Sequence, residues 1–221
     1  MEQPMSTDHT TSSATRHYPI DTWPDFFATH LATVPLVVIL RGLPPEEALA
    51  TARTAWAAGV RLVEVTVEGE HGLAGVAALA QAAPAGVPVG AGTVTTPQRL
   101  FQAVEAGADF GVAPGLDPDT IQAADQRGVP FLPGVATPTE AGHALRLGVS
   151  TIKAFPASVL GPEWVKALSG PFPELRVVTT GGVTASTAPD FLAAGAHGVG
   201  VGQAAASAEA LPPLVEAVRV R

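Results

Sequence analysis

The sequence predicts an α/β protein, a single-domain (β/α)8 barrel of the TIM type. Three observations carry that expectation. Short β-rich runs alternate with Ala-rich helical stretches from Val34 onward. The alternation makes eight βα units in 221 residues, a length that one α/β barrel commonly fills. Helices close on glycine and feed straight into the next run, as in "AAGVRLVEVT", "EAGADFGVAP", "RLGVSTIKAF" and "AAGAHGVGVG", through Gly59, Gly107, Gly148 and Gly195. A doubly wound open sheet is the alternative, but it usually has fewer strands, and no G-x-G-x-x-G follows the first run.

Residues 1–20, "MEQPMSTDHTTSSATRHYPI", are polar and lack the apolar centre of a signal peptide, so they read as a flexible extension ahead of a barrel over 21–221. The strand candidates then follow in order: 34–40, 61–66, 87–92, 109–113, 129–134, 150–155, 176–180 and 197–202. Each is short, and most are rich in valine, as strands buried on both faces are. The helical stretches between them include "PEEALATARTAWAA", "TPQRLFQAVEA", "PDTIQAADQR" and "TPTEAGHALRL", and the last is "SAEALPPLVEAVR". Several open with Pro or Thr, residues suited to the first turn and the cap.

Composition narrows the function. Hydrophobic residues are 47% and charged residues only 14%, enough for a large core. The net charge is −8 and no basic stripe is present, so no nucleic-acid partner is expected. No run is long and unbroken enough to span a membrane, so no membrane partner is expected, and the default location is the cytoplasm. With no cysteine there is neither disulfide nor thiolate chemistry. The six histidines have no metal-ligand spacing, and the acids form no dense cluster, so neither metal nor cofactor is expected. His71 reads as a solvated loop residue near the mouth.

In such a barrel the chemistry sits at the C-terminal ends of the strands. The polar residues there are Arg41, Glu64, Thr66, Thr93, Lys153, Thr179 and Thr180, all expected to face one mouth. Lys153, one of two lysines, lies within the apolar run "STIKAF". It is either a surface residue at a strand end or a reactive amine in a dry pocket. Desolvation lowers the pKa of such an amine and frees its lone pair to form a Schiff base with a ketone. Glu64, between valines in "LVEVTV", is either a satisfied core carboxylate or the proton carrier such a reaction needs. Gly181 and Gly182 in "TTGGVTAS", and the glycine pair of "GVGQAAAS" (200–207) one strand later, are either plain turns or backbone cradles for an anion, the usual phosphate site of a barrel. Thr93 in "GAGTV" and Arg41 in "LRG" offer a hydroxyl and a fork suited to a carboxylate, or serve structure alone.

Together with "VILRG", "VEVTV", "GAGTV", "VAPGLD", "PGVATPTE", "IKAFPAS", "GPEWVKALSGPFP", "TTGGV" and "GVGVG", in this order from about Val34 to Ala206, the chain resembles the 2-keto-3-deoxy-6-phosphogluconate aldolase family. That family includes 2-dehydro-3-deoxy-6-phosphogalactonate and 4-hydroxy-2-oxoglutarate aldolases. The resemblance implies a metal-free class I aldolase on a (β/α)8 barrel, assembled as a homotrimer. It implies a substrate that is a 2-keto-3-deoxy sugar acid phosphate, cleaved to pyruvate and glyceraldehyde 3-phosphate, with 4-hydroxy-2-oxoglutarate as the alternative substrate. It implies Lys153 as the Schiff-base lysine and Glu64 as the general acid/base, with Arg41 and Thr93 on the pyruvate carboxylate. Pro114 and Phe155 then line the pocket, and Thr180, Gly181, Gly182, Gly202 and Gln203 receive the distal phosphate end. Two residues depart from the family pattern: Glu68 stands where several phosphogluconate aldolases carry arginine, and Gln203 where members often carry serine. Two rivals remain from the residues alone: a phosphate-binding barrel of another chemistry that does not need Lys153, and a non-catalytic barrel that binds phosphate or pyruvate.

Overall fold

The computed structural model describes residues 17–202 and 206–219. Its strands are β1 (Leu36–Leu40), β2 (Leu62–Thr66), β3 (Val89–Gly92), β4 (Phe110–Val112), β5 (Phe131–Leu132), β6 (Gly134–Val135), β7 (Thr151–Ala154), β8 (Arg176–Thr180) and β9 (Gly198–Gly202). All pair in parallel, in the order β5-β4-β3-β2-β1-β9-β8-β7-β6. The two ends of that order, β5 and β6, are consecutive in the chain, so the sheet comes round on itself as a barrel. The (β/α)8 architecture is therefore present, with one stave broken in two.

The break has a local cause. The run 129–134 reads as a single strand in sequence, but Pro133 has no N–H to give to a ladder. Leu132 accepts from Ala113 on the β4 side, while the Pro133 carbonyl accepts from the Lys153 amide at 2.8 Å on the β7 side. The stave thus hands its pairing from one neighbour to the other at Pro133.

The described helices are α1 (Trp23–Leu31), α2 (Pro45–Ala57), α3 (Gly72–Ala82), α4 (Pro97–Glu105), α5 (Pro118–Arg127), α6 (Pro138–Arg146), α7 (Ala157–Leu160), α8 (Pro162–Leu168), α9 (Ala188–Ala193) and α10 (Leu211–Arg219). Three successive helices start on the same device. Thr96, Asp117 and Thr137 each accept from a backbone N–H three residues on, with proline at the following position. Glu140 completes a capping box with Thr137.

Two helices lie outside the eight-unit pattern. α7 is one turn directly after the Lys153 strand, cut from α8 by Gly161. α1 precedes β1 and covers the N-terminal end of the barrel. Its Trp23, Phe26, Phe27 and Leu31 are buried, and the Phe27 ring stands edge-on to Phe110 at the start of β4 at 6.1 Å. The carbonyl of Pro24 accepts from Arg176 at the start of β8. The segment just ahead is docked too. The Tyr18 amide donates to Gly128 and the Ile20 amide to Asp125 of α5, so ordered contacts reach into the last residues of the stretch 1–20 that reads as flexible. Residues 1–16 lie outside the described part of the chain. With the N-terminal end covered, the opposite end of the barrel is where its polar residues gather.

Candidate active site

Side chains two apart on a strand share a face. Glu64 and Thr66 therefore point the same way from β2, and Thr151 and Lys153 the same way from β7. Strand β3 shows why glycine is required beside them. A Cβ on Gly92 would lie 2.7 Å from Glu64 Oε1, and one on Gly90 would meet the Phe110 ring at 2.3 Å. The glycines of "GAGTV" thus clear space for the catalytic candidate above and for the core ring below it.

Lys153 is 6% exposed and Glu64 2%. Burial raises the Glu64 carboxyl above its ordinary range, while the charges of Lys153 and then Arg41 pull it back. Burial lowers the pKa of the Lys153 amine; Glu64 opposes that and Arg41 adds to it. The two groups lie close enough to feel each other's charge, and each is driven toward its neutral form. Lys153 Nζ also sits 5.1 Å from the centre of the Phe155 ring. This environment excludes the solvated surface lysine.

Arg41 follows β1, Glu68 follows β2 and Thr93 follows β3, on three adjacent staves. One Arg41 amine donates to Glu68 Oε1 and the other donates to Thr93 Oγ1 at 3.3 Å. Thr93 has φ +60°, a left-handed conformation that a β-branched residue rarely adopts. Such strain is characteristic of functional positions.

The distal side is built from β7, β8 and β9. Gly181 and Gly182 have φ of +92° and +78°. A Cβ on Gly181 would strike the Phe155 ring at 2.8 Å, and one on Gly182 would meet Ser158 Oγ at 2.6 Å. Ser158 on α7 donates its amide to the Gly181 carbonyl, which sets this residue, unmarked in the sequence reading, directly against the glycine pair. The clue was there in "KAFPAS", but a one-turn helix leaves no periodicity to read. Thr180 is buried and its Oγ1 has no protein partner. Gly202 ends β9 with open space around the position of a Cβ. Pro114 follows β4, its carbonyl packed against Gly134 of β6. Gln203 lies outside the described residues.

Thr179 departs from the expected set. It alternates with Thr180 along β8, so it points to the opposite face, toward the helical layer and not into the mouth. The sequence shows two adjacent threonines at a strand end, and only the pleat separates their roles.

Known proteins resemble the chain along most of its length. The sequence profile of the KDPG and KHG aldolases matches residues 28–213. The chain belongs to that family. It is an aldolase, hence a lyase, and the class I type fits its relatives. The KHG/KDPG aldolase of Escherichia coli (strain K12) is 35% identical over 172 residues, which cover 77% of this chain and 80% of that one. The 2-dehydro-3-deoxy-6-phosphogalactonate aldolase of the same organism is 35% identical over 170 residues, covering 76% and 83%. The structure of the Legionella pneumophila KDPG aldolase, with pyruvate captured as a covalent carbinolamine, superposes with a TM-score of 0.76 at 28% identity, covering 87% of this aldolase and 96% of that one.

Proposed function

We propose that this aldolase reversibly cleaves a 2-keto-3-deoxy-6-phospho sugar acid, of the phosphogluconate or phosphogalactonate type, to pyruvate and glyceraldehyde 3-phosphate. The observation that carries the mechanism is the buried pair: Lys153 with its amine pKa lowered and Glu64 with its carboxyl pKa raised, in one barrel. Lys153 attacks the C2 ketone, and the carbinolamine loses water to give an iminium. Glu64 takes the proton of the C4 hydroxyl, directly or through one water. The C3–C4 bond breaks, its electrons flow into the iminium, and the aldehyde leaves. The resulting enamine takes a proton at C3, and water releases pyruvate and the free amine. The lysine itself supplies the electron sink.

Arg41 and Thr93 hold the C1 carboxylate, and their contact at the mouth supports that role. Pro114 and Phe155 form the walls. Thr180, Gly181, Gly182 and Gly202, with Gln203, receive the phosphate end. The orphan hydroxyl of Thr180 and the two left-handed glycines support this, because both leave polar groups for a ligand. We place the enzyme in the cytoplasm as a homotrimer, as the family resemblance implies. Light scattering on the purified chain tests the assembly.

The mechanism is tested by reducing the enzyme with borohydride in the presence of pyruvate. A pyruvyl adduct on Lys153, absent in Lys153→Ala, is the expected result. Wild-type enzyme that keeps an unmodified Lys153 would overturn the mechanism, and a panel of phosphorylated and unphosphorylated keto acids, read by pyruvate release, decides the substrate.

A further inference from the structure

The carboxylate end of the mouth carries a feature that pyruvate cleavage does not require. Glu68 accepts from the Arg41 guanidinium through Oε1, while its Oε2 is buried with no protein partner. The cation that would greet a keto-acid carboxylate therefore already has an internal carboxylate beside it. A guanidinium has five N–H donors and serves two carboxylates at once, so Glu68 need not leave when a substrate arrives. The two anions must then share one cation across a few ångströms.

We propose that Glu68 determines specificity at the C1 end of this site: it cancels most of the Arg41 charge, so the enzyme chooses its substrate by the C2 ketone and tolerates a neutral group at C1. This rests on the aldolase reading above. Glu68 acts through Arg41 as a positioning residue and takes no part in the bond changes. Thr93 holds the other Arg41 amine, and Arg99 of α4 reaches the Thr93 carbonyl from behind at 3.4 Å. Arg99, Glu64 and Lys153 also carry charge around this end, with Glu70 and His71 on the loop of Glu68 itself, and the substitution of Glu68 removes none of them.

The test compares two ligands of one shape, pyruvate and its neutral amide, by borohydride trapping in wild type, Glu68→Gln and Glu68→Ala. Removing one like charge at this separation, in surroundings between protein surface and water, changes affinity by about tenfold. In Glu68→Gln the half-saturating concentration of pyruvate is expected to fall by about tenfold while that of the amide stays put. The acid limb of the trapping rate is also expected to move to lower pH, because the Arg41 charge then acts on Lys153 uncountered. An unchanged pyruvate-to-amide ratio, or a shift in Glu68→Ala alone, would overturn the proposal and leave the aldolase reading standing. Wild type that traps neither ligand would remove both.

Discussion

Gly92→Ala places one methyl group against the carboxylate of Glu64. The added Cβ would lie 2.7 Å from Oε1, 3.1 Å from Cδ and 3.1 Å from Thr66 Cγ2. An ordinary carbon–oxygen contact is about 3.4 Å, so the carboxylate must retreat by roughly 0.7 Å. Overpacking of this kind costs about 1–3 kcal/mol, and replacing glycine returns about 0.4–1 kcal/mol by restricting the unfolded chain. The net loss of stability is then between about 0 and 2.6 kcal/mol. The loss of rate is larger, because misplacing a reacting group by about 1 Å costs on the order of 100-fold. Gly90→Ala is the matched control, two residues back on the same face of β3. Its Cβ meets the Phe110 ring at 2.3, 2.5 and 2.9 Å, so the strain falls first on a core ring, even though Gly90 is the ladder partner of Glu64. Urea denaturation and coupled pyruvate release, measured on both variants, separate the two effects. Gly92→Ala is expected to lose about 10- to 100-fold in kcat with a modest fall in midpoint. Gly90→Ala is expected to lose more stability and keep its kcat per folded molecule. A Gly92→Ala enzyme within twofold of wild type in kcat would refute the claim that Glu64 carries the proton from this position.

Lys153→Met removes the amine and keeps the bulk. Because burial lowers the folded pKa of Lys153, the unfolded chain binds that proton more readily, so the penalty on folding is full below the folded pKa and fades as pH rises toward 10.5. The variant is expected to resist urea better than wild type at pH 7, with the gap narrowing toward pH 10, and a gap that does not change with pH would count against a depressed amine. Thr93→Gly relieves a left-handed β-branched residue worth about 1–2 kcal/mol and gives back about 0.5–1 kcal/mol in unfolded-state entropy. Its melting temperature is expected to rise slightly while KM for the keto acid also rises, because Arg41 loses a partner; unchanged KM would remove Thr93 from carboxylate binding. Thr179→Val and Thr180→Val each replace a buried hydroxyl that has no protein partner, so both are expected to gain about 1 kcal/mol in denaturation experiments. Only Thr180→Val is expected to lower kcat/KM, and equal losses in both would refute the assignment of their faces.

Much of this arrangement was legible because the sequence obeys a strong local rule. Glycine past many helix ends and a short β-rich run after it leave little choice but parallel staves, and a lysine and a glutamate inside such runs are conspicuous by type alone. The remainder depended on partners distant in sequence or on one backbone angle. The division at Pro133 was written in "VPFLPG", where two prolines in one run argue against an unbroken strand. The helix α1 was also written, in Trp23, Phe26, Phe27 and Leu31 at helical spacing, but it sits next to a stretch whose polar composition draws the eye away. Nothing local could announce φ +60° at Thr93, since threonine disfavours it and only the fold around it enforces it. Nor could the sequence show that Glu68 engages Arg41, a pairing across 27 residues.

The helix that covers the foot of the barrel also dictates traffic. With Trp23, Phe26 and Phe27 packed across that end, a ligand on Lys153 would come and go at the opposite end of the barrel. On the proposed mechanism the three-carbon acid stays bonded to Lys153 while the aldehyde is free to go. Departure is then expected to be sequential, aldehyde before pyruvate, and in the synthetic direction arrival is expected to be the reverse. The kinetic signature is an ordered mechanism in which pyruvate alone among the products meets the vacant enzyme.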